Sequence, residues 1–442
     1  MNERIIQLIN EKKFSILKEE LNEAMAVDIA EAFEELDKKN SIILFRLLSK
    51  DLAVDVFSYL SGQQRKDIVD AIHETKLNEI IDELYFDDMI DFLEEMPANV
   101  VKKILVNATD EERKLINQFL NYPENSAGSL MTIEYVDLKK EMTVKEALEH
   151  IKKTGVDKET IYTCYVLNEK RKLEGIVSLR KLVLLEDNLL VEEIMNEDYI
   201  SCTTLDDQEE VTLLFKKYDL LTVPVVDKEA RLVGIITIDD IVDVIDQENT
   251  EDFQKMAAME PNDEEYLYSN VFSLARRRIV WLALLMVTAT LTEMIIGRFE
   301  STLAAITVLA ASIPMLMDTA GNAGAQSSTL IIRGIALGEV ELTDYIKVFW
   351  KEFRVSSIVG IALASINLIR MLLLGSEASV AFTVSITLLI TIMMAKVVGG
   401  TLPIVAKKLR LDPAIMAGPL ITTIVDVMAL LVYFNIAGVL IL

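Results

Sequence analysis

Asp426 is the one ionised residue between Pro419 and Leu442, in the run PLITTIVDVMALLVYFNIAGVLIL. From Pro413 to Leu440 the chain is apolar on every side and long enough to cross a bilayer as a helix. A carboxylate near the middle of such a span costs about 2.5–3.5 kcal/mol on insertion scales, so something must offset it. A hydrogen bond to a neighbouring helix, protonation or a bound cation would each do so, and an intramembrane carboxylate is by default a functional-site candidate. Two other acidic patterns invite the same chemistry. YFDDMIDFLEEM spaces Asp87, Asp91 and Glu95 four apart, which puts them on one helix face. IDDIVDVIDQENTED does nearly the same with Asp239, Asp243 and Asp246, with Asp240, Glu248, Glu251 and Asp252 nearby. Like charges at these spacings weaken a helix modestly, and divalent cations between two such faces turn repulsion into bridging.

The elements that position these residues differ sharply in composition. Residues 271–442 hold 13 basic and 10 acidic residues, whereas residues 1–270 hold 31 basic and 60 acidic ones. A very apolar, slightly basic half thus follows a strongly acidic one. That acidity argues against nucleic-acid or anionic-lipid binding by the first half and favours cationic partners. With only Cys164 and Cys202 there is no disulfide framework, and MNERIIQLINEKKF lacks the apolar core of a secretory signal.

Five apolar groups follow residue 270: Ile279 to Gly297, a stretch from about Thr302 that continues, broken, through AGNAGAQSSTLIIRGIAL, Val355 to Leu374, Val380 to Val405, and the Asp426 group. Each has the length of a spanning helix. Arg276–Arg278, then Lys347, Lys351 and Arg354, then Lys407, Lys408 and Arg410 flank alternate connections. The other connections carry only Arg298 with Glu300, and Glu377. The positive-inside rule therefore places the N-terminal half in the cytoplasm and the C-terminus outside. Glu293, towards the far end of the first span, is expected to face solvent near the outer interface.

Residues 1 to about 128 read as helix after helix at 3.6 spacing. Residues 129 to about 248 contain a repeat: RKLEGIVSLRKLV at 171–183 matches ARLVGIITIDDIV at 230–242, and SLMTIEYV matches EIMNEDYI upstream. A long polar helix, about Asp246 to Ser269, leads to the first span.

The repeat resembles a pair of CBS domains. PMLMDTAGNAGAQSSTLIIR and DPAIMAGPLITTIVDV resemble signatures of the MgtE-type magnesium transport family, and the domain order matches over the whole chain. The resemblance implies a multi-domain membrane protein. It has an all-α cytoplasmic N domain (1–128), an α/β tandem CBS pair (129–245), a connecting, or plug, helix (246–270) and an α-helical bundle of five transmembrane spans (271–442). It further implies a homodimer in the lipid of the cell membrane, a cation pore on its two-fold axis, and Mg²⁺ as both the transported and the regulatory ion.

By the same resemblance, Asp426 matches the pore carboxylate and DTAGNAGAQ forms part of the pore wall, with Asp318 nearer a mouth. Asn322 and Gln326 either meet the ion's hydration shell or hydrogen-bond between helices. Gly418 stands where a family member carries a polar residue, so contacts there are backbone ones. Asp55, Asp87 and Asp91 match N-domain positions that bind Mg²⁺ against the CBS pair. Glu209, Asp219, Asp240 and Asp243 match positions in the pair, and Glu248, Glu251 and Asp252 match the connecting helix. CBS pairs often bind adenine nucleotides. Here Lys181 replaces the acid usual for ribose binding and Thr163 stands where an aromatic stacks, while Asp239 keeps the acid in the second repeat. ATP at the pair stays an open question.

The physics agrees with this resemblance. Mg²⁺ sheds water reluctantly, so a pore should hold it hydrated among carboxylates and carbonyls. Pro314, Pro403, Pro413 and Pro419 interrupt helical ladders, and Gly321, Gly324, Gly399 and Gly400 permit close backbone approach. Three readings follow: a Mg²⁺-gated Mg²⁺ channel, a carrier coupled to H⁺ or Na⁺, and a membrane-tethered sensor that moves no ion. An enzyme is not expected, because His73 and His150 lie in separate helices and no nucleophile motif, thiolate metal site or phosphate loop occurs.

Overall fold

Helices of eight to ten residues succeed one another from Asn2–Asn10 to Asp110–Phe119. Some carry side-chain caps that are written in the sequence. Asp37 accepts from the Asn40 N–H, and Thr109 and Glu112 exchange a reciprocal pair of cap bonds. A chain of aromatic contacts threads the core, with Phe45 6.1 Å from Phe57 and Phe57 5.3 Å from Phe92 between ring centres. In the helix Phe86–Glu95, the residues Phe86, Ile90 and Leu93 are buried, which turns Asp87 and Asp91 to another face.

The computed structural model describes residues 2–440 except 73, 82, 263–265, 267, 268 and 300–306. His73 and the expected start of the second span at Thr302 lie outside the described residues, as does the Glu95 side chain.

The repeat folds as two equivalent three-stranded sheets. β1 (Val136–Leu138) lies parallel to β2 (Thr163–Leu167), which pairs antiparallel with β3 (Leu173–Ser178). β4 (Cys202–Thr203), β5 (Thr222–Val226) and β6 (Leu232–Thr237) repeat that pattern, down to a register shift in the second strand. Thr132 bridges to Ile235 and Asn196 to Ile176, so each copy's leading segment pairs with the other copy's last strand. Cys164 and Cys202 are free and buried.

The chain forms two compact units, Met1–Val244 and Ile245–Leu442. The polar helix expected over 246–270 is instead the later part of a single helix, Ile238–Met256, that begins as the final helix of the second repeat. It stops at Met256 because the chain turns there, with Ala258 at φ +53°.

In the second unit five long helices follow: Val271–Arg298, Thr307–Ala336, Tyr345–Leu373, Ala378–Lys408 and Gly418–Leu440. We refer to them as the first to the fifth. Among the described residues, four are long and apolar enough to cross a membrane. The second, 30 residues long, has the length, but Asp318, Asn322, Gln326 and its serines make it more polar. It is unbroken across Pro314 and the glycines, contrary to the expected interruption. Its small residues serve packing instead: a Cβ on Gly399 would lie 2.2 Å from the Gly324 carbonyl oxygen, so the second and fourth helices meet backbone to backbone. Gly399→Ala should cost about 1–3 kcal/mol through overpacking. A thermal melt in detergent that matched wild type would count against this contact. The fifth helix starts at Gly418 rather than Pro413, because Pro413–Met416 form a separate 3-10 turn.

Candidate cation sites

The first unit gathers carboxylates from two regions. Thr237 and Asp240 pair at 2.6 Å, which holds Asp240 at the start of the helix Ile238–Met256. Asp87 and Asp88 from the N-terminal region lie within electrostatic reach of Asp240 and Asp239, and Glu159 joins them. Burial, then Asp240, Asp88 and Glu159, raises the Asp87 carboxyl well above its ordinary range. Asp240 is pushed up to about 6 by burial, and Glu159 to about 7 by burial and then by Asp239 and Asp240. Asp91 rises to about 7 through local desolvation, then Glu94 and Asp88, against the opposing charge of Arg65 and the solvent at its exposed edge. Arg65 opposes the rise at Asp88 and Asp91, yet every one of these shifts keeps the sign expected of crowded carboxylates.

Of the other expected ligands, Asp55 lies close to this group. Asp55 and Asp87 both act on the Tyr85 hydroxyl, together with Glu134 and Glu159. Glu209 and Asp219 stand at opposite ends of the helix Gln208–Tyr218, which separates them by roughly 15 Å, so within one chain they do not share an ion. Asp239 and Asp243 are exposed. Among the described residues, no three His, Cys, Asp or Glu side chains close on a common metal position. In the first repeat, the Lys181 ammonium is tied to the Ile194 carbonyl at 2.5 Å, and Thr163 pairs with Ser178 across β2 and β3.

In the second unit the end of the helix Ile238–Met256 packs by ion pairs. Lys255 reaches Glu251 and Asp412, each at 2.5 Å. Burial opposes the charged lysine, yet its bonds to Asp412 and Glu251 hold it at about 12. Burial and then Asp412 push Asp252 up to about 6, with Glu248 and Glu251 adding repulsion and Lys255 opposing it. Asn249 accepts from Arg333 at 3.0 Å. Gly418 adopts φ +44°, and a Cβ there would lie 2.4 Å from the Met256 carbonyl oxygen. A side chain at this position would meet both a strained φ and the Met256 backbone, which is the reason for glycine here.

Among the long helices, Asp318, Asn322 and Gln326 recur every four residues along one exposed face of the second. Asp318, expected nearer a mouth, lies within electrostatic reach of Asp426. Asp426 lines a hollow of about 340 Å³ with Thr423, Met317, Thr292 and Glu293. Glu293 is exposed and shares this hollow with Asp426.

Over 430 residues the chain is 36% identical to the magnesium transporter MgtE of Thermus thermophilus, covering 96% of this chain and 95% of that one. The chain belongs to the MgtE family. It is also 33% identical to the MgtE of Bacillus subtilis, across 98% of this chain and 96% of the other. Residues 313–436 match the MgtE divalent cation transporter domain, 24–125 the MgtE intracellular N domain, and 127–186 with 191–247 the CBS domain. A solved cytosolic domain of the Mg²⁺ channel MgtE, in complex with ATP, superposes with a TM-score of 0.53 at 34% identity, over 55% of this chain and all of that one. The soluble part of a magnesium transporter does so with a TM-score of 0.52 at 30% identity, over 56% and 97%. The resemblance read from the motifs therefore holds: the protein is a member of a transporter family with an MgtE cytosolic fold, and these two relatives, which match nearly the whole chain, are named magnesium transporters.

In this MgtE-family chain, inspection of spacing overlooked Glu159, Glu134 and Lys396. The first two carry no periodic signal, since their neighbours come from distant segments. Lys396 did carry one: it is a lone charge in the apolar run ITIMMAKVVGG, the same signal that singled out Asp426.

Proposed function

We propose that this MgtE-family chain conducts Mg²⁺ across the cell membrane as a homodimer, and that Mg²⁺ on the side of its acidic unit closes it. One observation carries the reading: the second helix exposes Asp318, Asn322 and Gln326 along one face, and Asp318 lies within electrostatic reach of Asp426. Such a stripe does not face hydrocarbon, and a water-filled path between two copies accommodates it. Two Asp426 carboxylates would neutralise one divalent ion that keeps its water. The gate follows from the crowded carboxylates of the first unit. Mg²⁺ that binds only their closed arrangement draws the population towards it, and the helix Ile238–Met256 continues from that unit into the second. The basic connections orient the acidic unit to the cytoplasm and the C-terminus outside.

The test is Mg²⁺ flux into proteoliposomes, with Mg²⁺ low and then high on the side of the acidic unit. The expected result is flux at low Mg²⁺, shut at high Mg²⁺, and indifferent to H⁺ and Na⁺ gradients. Flux that tracks either gradient would make the protein a coupled carrier. Flux that ignores Mg²⁺ on the acidic side would remove the gate. No flux under any gradient would leave a tethered sensor.

A further inference from the structure

Three polar side chains are sealed inside the bundle of the second unit, behind the exposed stripe. Lys396 of the fourth helix is 6% exposed, Glu352 of the third 9% and Ser327 of the second 1%. The Ser327 hydroxyl donates to Glu352 Oε2 at 2.6 Å. The Lys396 ammonium donates to Ser327 Oγ and to Gln326 Oε1, each at 3.4 Å. An ammonium has only protons to give, so Ser327 Oγ accepts from it and passes its own proton bond on to the carboxylate. The same rule orients Gln326: its carboxamide oxygen is drawn back to Lys396, which leaves the NH₂ group for the open face.

A lone buried charge in such a bundle is severely disfavoured, and a pair is tolerated only when each charge compensates the other. Here the compensation is indirect, through a serine. The network ties together three helices, and Gln326 ends the Asp318–Asn322–Gln326 stripe.

We propose that Lys396 and Glu352 are positioning residues of the cation path. Lys396 holds the Gln326 oxygen away from the path, and Glu352, acting through Ser327, cancels the field of the ammonium behind it. The proposal rests on the reading of that stripe as the route of Mg²⁺.

It makes a prediction of sign. Glu352→Gln leaves an uncompensated positive charge behind the path, which repels a divalent ion. The half-saturating Mg²⁺ concentration should rise, on the order of tenfold. Lys396→Met releases the Gln326 oxygen and leaves a buried anion, so half-saturation should not rise and should fall. The double variant, Glu352→Gln with Lys396→Met, buries no unpaired charge and should return half-saturation to that of wild type. A merely structural network would make both single variants fail alike.

The experiment is Mg²⁺ flux against Mg²⁺ concentration for wild type, the two single variants and the double variant of the full chain in proteoliposomes. Opposed shifts, restored in the double variant, are the expected result. Shifts of the same sign, or a double variant that adds the two single effects, overturn the pair while wild-type flux stands. Absence of wild-type flux overturns the path itself. Should a single variant fail to fold, the double variant decides: half-saturation far from that of wild type refutes the compensation.

Discussion

Asp426→Ala should lower Mg²⁺ flux about 100-fold or more. A hydrated Mg²⁺ ion held ~5 Å from a carboxylate gains ~1.7 kcal/mol even at the dielectric of bulk water. Two copies across a dimer axis give ~3.3 kcal/mol, which corresponds to a factor on the order of 100. The lower dielectric among the helices makes that a floor. Asp426→Asn separates charge from hydrogen bonding, because it keeps the size and one acceptor. It should be impaired nearly as much as the alanine variant. Proteoliposome flux that stays at the wild-type level in Asp426→Asn would make the side chain a structural hydrogen-bond partner and sink the cation-site reading.

The second large effect belongs to the acidic unit. In Mg²⁺-free buffer, Asp87→Asn combined with Asp240→Asn should tighten the helix Phe86–Glu95 against amide hydrogen exchange, because it removes repulsion rather than attraction. Mg²⁺ at 100 times its dissociation constant stabilises a wild-type site by ~2.7 kcal/mol, which slows exchange about 100-fold where that site limits opening. The variant should lose this response, and its flux should no longer shut at high Mg²⁺. Equal slowing by Mg²⁺ in both proteins would show that these carboxylates do not hold the ion.

The pH dependence follows with a definite sign. Carboxyls whose folded-state pKa is raised bind protons more tightly folded than unfolded, so stability falls as pH climbs through the shifted range. For Asp91 that range runs from 3.8 to about 7, and for Asp240 from 3.8 to about 6. Without Mg²⁺ the closed arrangement should therefore loosen between about pH 4 and pH 7 and be firmest at the acidic end. The usual acid-labile behaviour of paired carboxylates is the reverse.

Much of this was legible before any coordinates. The helical N-terminal region, the repeat with its two sheets and the apolar helices rest on periodicity and cap residues, which act within a few turns of chain. The connecting segment was less legible. Ile238–Met256 satisfies helical spacing throughout, so nothing local marks where the repeat ends and the connector begins. The second helix misled for another reason: glycines and a proline usually signal interruption, but here they let Gly324 and Gly399 touch.

What the amino-acid order determined by itself was the inventory: an acidic unit, a paired repeat, apolar helices, and an isolated Asp426 that demands compensation. Only the tertiary structure decided which charges meet. It brought Glu159 to Asp239 and Asp240, Glu293 to the hollow of Asp426, and Lys396 to Ser327 beside Glu352. The physical reason is range. Propensity, capping and amphipathic spacing act over a few residues, whereas electrostatic compensation acts through space between segments that the chain order leaves far apart.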